Sequence, residues 1–113
     1  MPYIPNRSAF VLVPEEPMLE WVREANDEDM DMETLFGEAE VYLLPSFETD
    51  EEMDKVLNQF WPRLFEIELR AWNRDPKSWP SNRTLDMFHE WFKLSPFNGV
   101  HDLGTEPIEV EKD

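Results

Sequence analysis

Two short apolar runs that each stop at a proline, and two longer stretches whose apolar residues recur at helical spacing, point to an α+β domain. The runs are SAFVLVP (8–14) and EVYLLPS (40–46), and the helical stretches are 49–72 and 84–94. In chain order the elements read β-α-β-α-α-β. This is a small sheet of about three strands covered by helices, with crossover connections of the usual hand.

SAFVLVP is short, apolar and ended by Pro14, which suits a buried strand. Pro17 then opens the helix EPMLEWVREAN at its first turn. Met18, Leu19, Trp21 and Val22 share one face of it, while Glu16, Glu20, Arg23 and Glu24 fall mostly elsewhere. NDEDMDME (26–33) reads as an acidic loop, and Thr34 to Phe36 as one more turn stopped by Gly37.

EVYLLPS repeats the strand pattern. After it, Thr49 and Glu52 fit a capping box, with Asp50 and Glu51 favourable at a helix N-terminus. From there to Trp72, Met53, Val56, Leu57, Phe60, Leu64, Ile67 and Ala71 fall on one side of a wheel. Pro62 lacks an amide donor, so a kink or two abutting helices is expected there. NRDPKSWPSN (73–82) is a loop, and TLDMFHEWFKL (84–94) a helix with Leu85, Phe88, Trp91 and Phe92 at core spacing, ended by Pro96. FNGVHDL (97–103) is the expected third strand, weakened by Gly99. Residues 1–104 form the single expected domain. Residues 105–113 are an acidic tail, in which IEVE alternates as a strand pairing at a sheet edge would.

The composition supports one core. Of 113 residues, 41% are hydrophobic, with five Trp and eight Phe, which excludes a wholly disordered acidic chain. With no cysteine there is no disulfide, zinc-thiolate site or cysteine nucleophile. No basic segment followed by a long apolar stretch stands near residue 1, and AFVLV is too short to span a bilayer. A cytoplasmic protein is expected. The net charge of -16 repels phosphate backbones and anionic headgroups, so direct nucleic-acid and membrane binding are disfavoured. It attracts a protein partner with a basic surface. The acidic block Glu24, Asp27, Glu28, Asp29, Asp31 and Glu33 is the first candidate to face that partner.

Signals of catalysis are sparse. The three isolated glycines build neither a Walker loop nor a dinucleotide fingerprint, no serine sits in a G-x-S-x-G context, and no cofactor is implied. In the aromatic stretch SWPSNRTLDMFHEWF, His89 lies beside Asp86, Glu90 and Lys93, opposite Phe88 and Phe92, and so faces solvent. His101 and Asp102 share no spacing with His89 that would build a metal site. Asp27, Asp29, Asp31, Glu33 and Glu38 approximate the ligand spacing of a calcium loop, but Met32 occupies the sharp turn that needs glycine, so no metal is expected. Glu68 is the residue that demands an explanation. It falls within an apolar sector beside Leu64, Phe65, Ala71 and Trp72, and a buried carboxylate there must be paired or neutralised. Arg7 or Arg83 is the expected bidentate partner, in which case Glu68→Gln destabilises the fold.

Asn6-Arg7-Ser8, VYLLP (41–45), FEIELRAW (65–72), WPSNRT (79–84) and FHEWF (88–92) together resemble a group of small acidic bacterial proteins of unassigned function. The resemblance implies a compact α+β domain with Glu68 and the two arginines at characteristic positions, and brings no activity with it. Pro62 and the acidic 27–33 segment depart from that pattern. The reading that follows is a non-enzymatic protein-interaction or regulatory module. The alternatives are a nucleic-acid mimic that inhibits a basic protein, an enzyme using Glu68 with Arg83, and a self-associating subunit with an exposed aromatic patch.

Overall fold

A computed structural model describes residues 2–111; Met1, and Lys112 and Asp113 at the end of the acidic tail, lie outside the described residues. The elements are β1 (Arg7–Pro14), α1 (Glu16–Asn26), α2 (Met32–Gly37), β2 (Val41–Pro45), α3 (Asp50–Trp72), α4 (Leu85–Trp91) and β3 (Phe92–Phe97), with a 3-10 turn at Pro76–Ser78. The fold is α+β, with a three-stranded sheet in the order β2-β1-β3.

Both strand pairings are antiparallel, with Ala9 opposite Leu43 on one side and Phe97 on the other. The handed crossovers expected between parallel strands therefore do not arise. The third strand also lies five residues earlier than the pattern suggested. The helix stops at Trp91, and Phe92 passes straight into the ladder, where it pairs with Pro14. Alternation in Phe92, Lys93, Leu94 and Ser95 competes with helical spacing, and burying Phe92 and half-burying Leu94 on the edge of β1 decides it. Pro96 is tolerated because β3 has an open edge. Of the expected 97–103 strand, Phe97 pairs with Ala9 as the last residue of β3, and His101 forms an isolated bridge to Tyr3. The IEVE stretch forms no ladder among the described residues.

One side of the sheet carries the helices. In β1, Ser8, Phe10, Leu12 and Pro14 are buried while the alternate residues are not. Phe10 and Leu12 meet Met18, Leu19 and Val22 of α1, Leu57, Leu64, Phe65 and Leu69 of α3, and Phe88 and Trp91 of α4 in one core. Phe65 lies at its centre, with ring centroids 5.7, 5.4 and 5.8 Å from Phe88, Trp91 and Phe92. The last contact is edge-on at 89°, which suits the ring quadrupoles.

α3 runs unbroken for 23 residues through Pro62. The carbonyl left without its partner belongs to Asn58, which is exposed, so water can satisfy it. Its buried residues are Leu57, Leu64, Phe65 and Leu69, about one position round the wheel from the expected stripe; Ala71 is exposed. The N-terminus is capped by Thr49, whose Oγ1 accepts from Glu52 N at 3.1 Å. Glu52 reaches back to the Glu48 amide at 2.7 Å, one residue earlier than a standard capping box. Among the described residues no helix is long and apolar enough to cross a membrane.

Candidate functional site

β2 alternates so that Leu44 is buried and Tyr42 half-buried on the helical side, opposite Ser8 and Phe10. A phenol directed there needs an acceptor, and α3 supplies one: Tyr42 Oη donates to Glu68 Oε2. Burial raises the Glu68 pKa to about 7; the hydrogen bond from Tyr42 opposes the rise, and the negative charge of Glu40 adds to it. The Tyr42 pKa is likewise pushed up, first by burial and then by the adjacent Glu68.

This corrects the expected ion pair. Arg7 Nη1 donates to the Asn6 carbonyl at 2.9 Å, and Arg83 Nη2 lies 3.4 Å from Glu66 Oε1, the one ion pair within 4.0 Å among the described residues. Glu68 is compensated by a raised pKa and a phenol in place of a guanidinium. Glu66 and Glu68 lie two positions apart and so on different sides of the helix, which is why one faces Arg83 and the other Tyr42.

Arg83 instead completes a clasp on the 73–82 loop. Its Nη1 donates to the Pro80 carbonyl at 2.9 Å, and its guanidinium stands 5.8 Å from the Trp79 ring centroid. Arg70 approaches the same ring at 5.5 Å. Trp79 Nε1 donates to the Asn73 carbonyl at 2.7 Å, and Trp21 Nε1 to that of Ser78 at 3.0 Å. Asn73 Nδ2 reaches the Ala25 carbonyl at 3.3 Å, tying the loop to the end of α1. Thr84 Oγ1 then caps α4, accepting from Met87 N at 3.1 Å. The conspicuous aromatic stretch is therefore scaffold, joined to the core and to two helix ends.

The acidic block is exposed throughout, from Glu24 through Asp27, Glu28, Asp29 and Asp31 to Glu33. Two of its members serve the backbone. Asp27 ends α1 in the left-handed region at φ 49°, its amide on the Arg23 carbonyl. Asp31 caps α2 by accepting from Thr34 N at 2.7 Å, and that bond holds its carboxyl below the usual range. Glu33 lies within α2 and Glu38 caps its C-terminus, so the five carboxylates of the approximate calcium spacing are strung from the end of α1 to the end of α2. Among the described residues, no group of three or more His, Asp or Glu side chains is arranged to hold a metal.

A groove of about 550 Å³ lies between the first half of α3 and α4. Leu57 and Leu85 supply apolar lining, and Glu51, Asp54 and Asp86 supply carboxylates, with Lys55, Asn58 and His89 completing it. His89 is exposed, as its helical position required, while His101 sits with Tyr3, their rings 5.4 Å apart. Two smaller grooves, of about 310 and 290 Å³, share Glu40 and Ala71 and do not include Glu68 in their lining. The carboxyl with the raised pKa is bound to Tyr42 and lines neither of them. No protein-family model matches the chain, and comparison with curated proteins and with solved structures gives no match.

Proposed function

We propose that this chain is a non-enzymatic protein-interaction module that recognises a basic partner through the α3–α4 groove. The observation that carries the reading is the pairing of apolar lining with acid: Leu57 and Leu85 beside Glu51, Asp54 and Asp86 in the α3–α4 groove of a chain with net charge -16. Such a groove takes the aliphatic stem of a lysine or arginine, or a leucine between two of them, while the carboxylates meet the cations. The wider negative field steers the approach. An enzyme built on Glu68 and Arg83 has less support, because Arg83 serves Glu66 and Trp79 and the Glu68 carboxyl is occupied by Tyr42.

The test is fluorescence anisotropy with two labelled peptides of equal positive charge, one alternating arginine with leucine and one of arginine and glycine. The leucine peptide should bind more tightly, lose affinity as salt rises, and weaken about tenfold against Glu51→Gln/Asp54→Asn/Asp86→Asn. Equal affinity of the triple variant, or no preference between the peptides, would overturn the proposal.

A further inference from the structure

The side of the sheet away from the helices breaks the usual rule for a half-buried antiparallel sheet, which is apolar inside and polar outside. Residues directly opposite across the ladder share a face, so this one carries Ala9, Val11 and Val13 of β1, Val41 and Leu43 of β2, and Lys93, Ser95 and Phe97 of β3. Val41, Leu43 and Phe97 are 65%, 48% and 56% exposed. Between the ends of its strands this face has no carboxylate, in a chain with 26 of them. The tail does not cover it, since Ile108 and Val110 are themselves exposed.

The ends of the central column identify the occupant. Arg7 begins β1, exposed and without a carboxylate within 4.0 Å among the described residues. At the far end Glu15 is also exposed, and its extended backbone (φ -109°, ψ 176°) continues the alternation past Pro14. The column therefore reads Arg7, Ala9, Val11, Val13, Glu15: a cation, three apolar side chains and an anion. A column of this kind complements itself when turned end for end.

We infer that the outer sheet face is the contact between two copies of this chain, packed sheet on sheet with their β1 strands antiparallel about a two-fold axis. In that arrangement each Arg7 faces the partner's Glu15, and the apolar middle of one column lies on that of the other. A two-fold axis across the strands keeps β3 over β3, so the stem of each Lys93 lies toward the partner's Phe97. The acidic helical layers remain outside. With sheets about 10 Å apart and a helix layer beyond each, their carboxylates are separated by more than a Debye length of about 8 Å. The net charge of -16 per copy is thus compatible with association.

Area sets the strength. Strands of 8, 5 and 6 residues present a flat footprint of about 300 Å². Side-chain relief makes the accessible area about twice that, so a pair buries about 1,200 Å² in total, at the lower limit for a specific interface. A reversible dimer with a Kd of tens of micromolar, as an order of magnitude, is expected.

Sedimentation velocity on the full chain, from about 2 to 300 μM, tests this over the range the expected affinity requires. The native protein should pass from monomer to dimer. Leu43→Lys should remain monomeric although it lowers the net negative charge. Arg7→Glu and Glu15→Arg should each weaken the dimer about tenfold, and the double variant should restore it, because reversing both ends recreates the complementary column. Circular dichroism and urea midpoints establish that each variant is folded. A native chain monomeric throughout, a dimer indifferent to Leu43→Lys, or a double variant no better than the singles would overturn the inference. The basic-peptide groove lies on the opposite layer, so Leu43→Lys should leave peptide binding unchanged and the two proposals fail separately.

Discussion

Glu68→Gln separates a paired carboxylate from a neutral one more sharply than any other change in this chain. In the unfolded chain the carboxyl ionises near its ordinary value of 4.5, and in the folded protein at about 7. Folding therefore takes up a proton between those values. The stability contributed by the neutral carboxyl is fully present below about pH 4.5 and lost as pH rises through about 7. The difference between the two pKa values corresponds to about 3 kcal/mol, and partial solvent access lowers the realised effect to about 2 kcal/mol. Glutamine keeps an acceptor for Tyr42 and carries no charge, so the variant should match the native protein at pH 4.5 and exceed its stability by about 2 kcal/mol at pH 8. The arginine pairing expected from the sequence required the opposite sign. Urea unfolding followed by tryptophan fluorescence at closely spaced pH values gives the difference directly, because the titration of the other carboxylates largely cancels between the two proteins. A variant less stable than the native protein at pH 8, or a difference that does not change with pH, would refute the reasoning.

Other changes probe the same framework. Tyr42→Phe removes the donor to Glu68 and should cost about 2 kcal/mol at pH 8, where the carboxylate is charged, and less at pH 4.5, measured by the same unfolding curves. Pro62→Ala restores a helix donor within α3 and should stabilise by about 2 kcal/mol, seen as a raised Tm in calorimetry. Thr49→Ala removes the α3 cap and should cost about 1 kcal/mol, measured by urea unfolding.

Much of the scaffold was legible in the sequence because local chemistry agrees with the fold. Pro14 and Pro45 mark strand ends, Pro17 opens α1, and Thr49 caps α3. The third strand was misplaced because Phe88, Trp91 and Phe92 satisfy helical spacing until β1 offers Phe92 an edge to pair with, which is a tertiary effect. The need of Glu68 for compensation was readable from its apolar neighbours, but its partner was not. An arginine pair was assumed from charge, whereas a tyrosine on the inward side of VYLLP was the available signal, since a phenol beside the core also needs a partner. The outer sheet face has its own signal in the sequence: V-x-V in β1 and V-x-L in β2 place apolar residues on both faces, which a sheet with one solvated face does not require.

The most direct test of the interaction reading is a map of amide chemical shifts in ¹⁵N-labelled protein titrated with the arginine–leucine peptide. The shifts should concentrate on Glu51 to Asn58 of α3 and Leu85 to His89 of α4, with Tyr42 and Glu68 unmoved. Shifts centred on Tyr42 and Glu68, or spread evenly over the acidic surface, would contradict it.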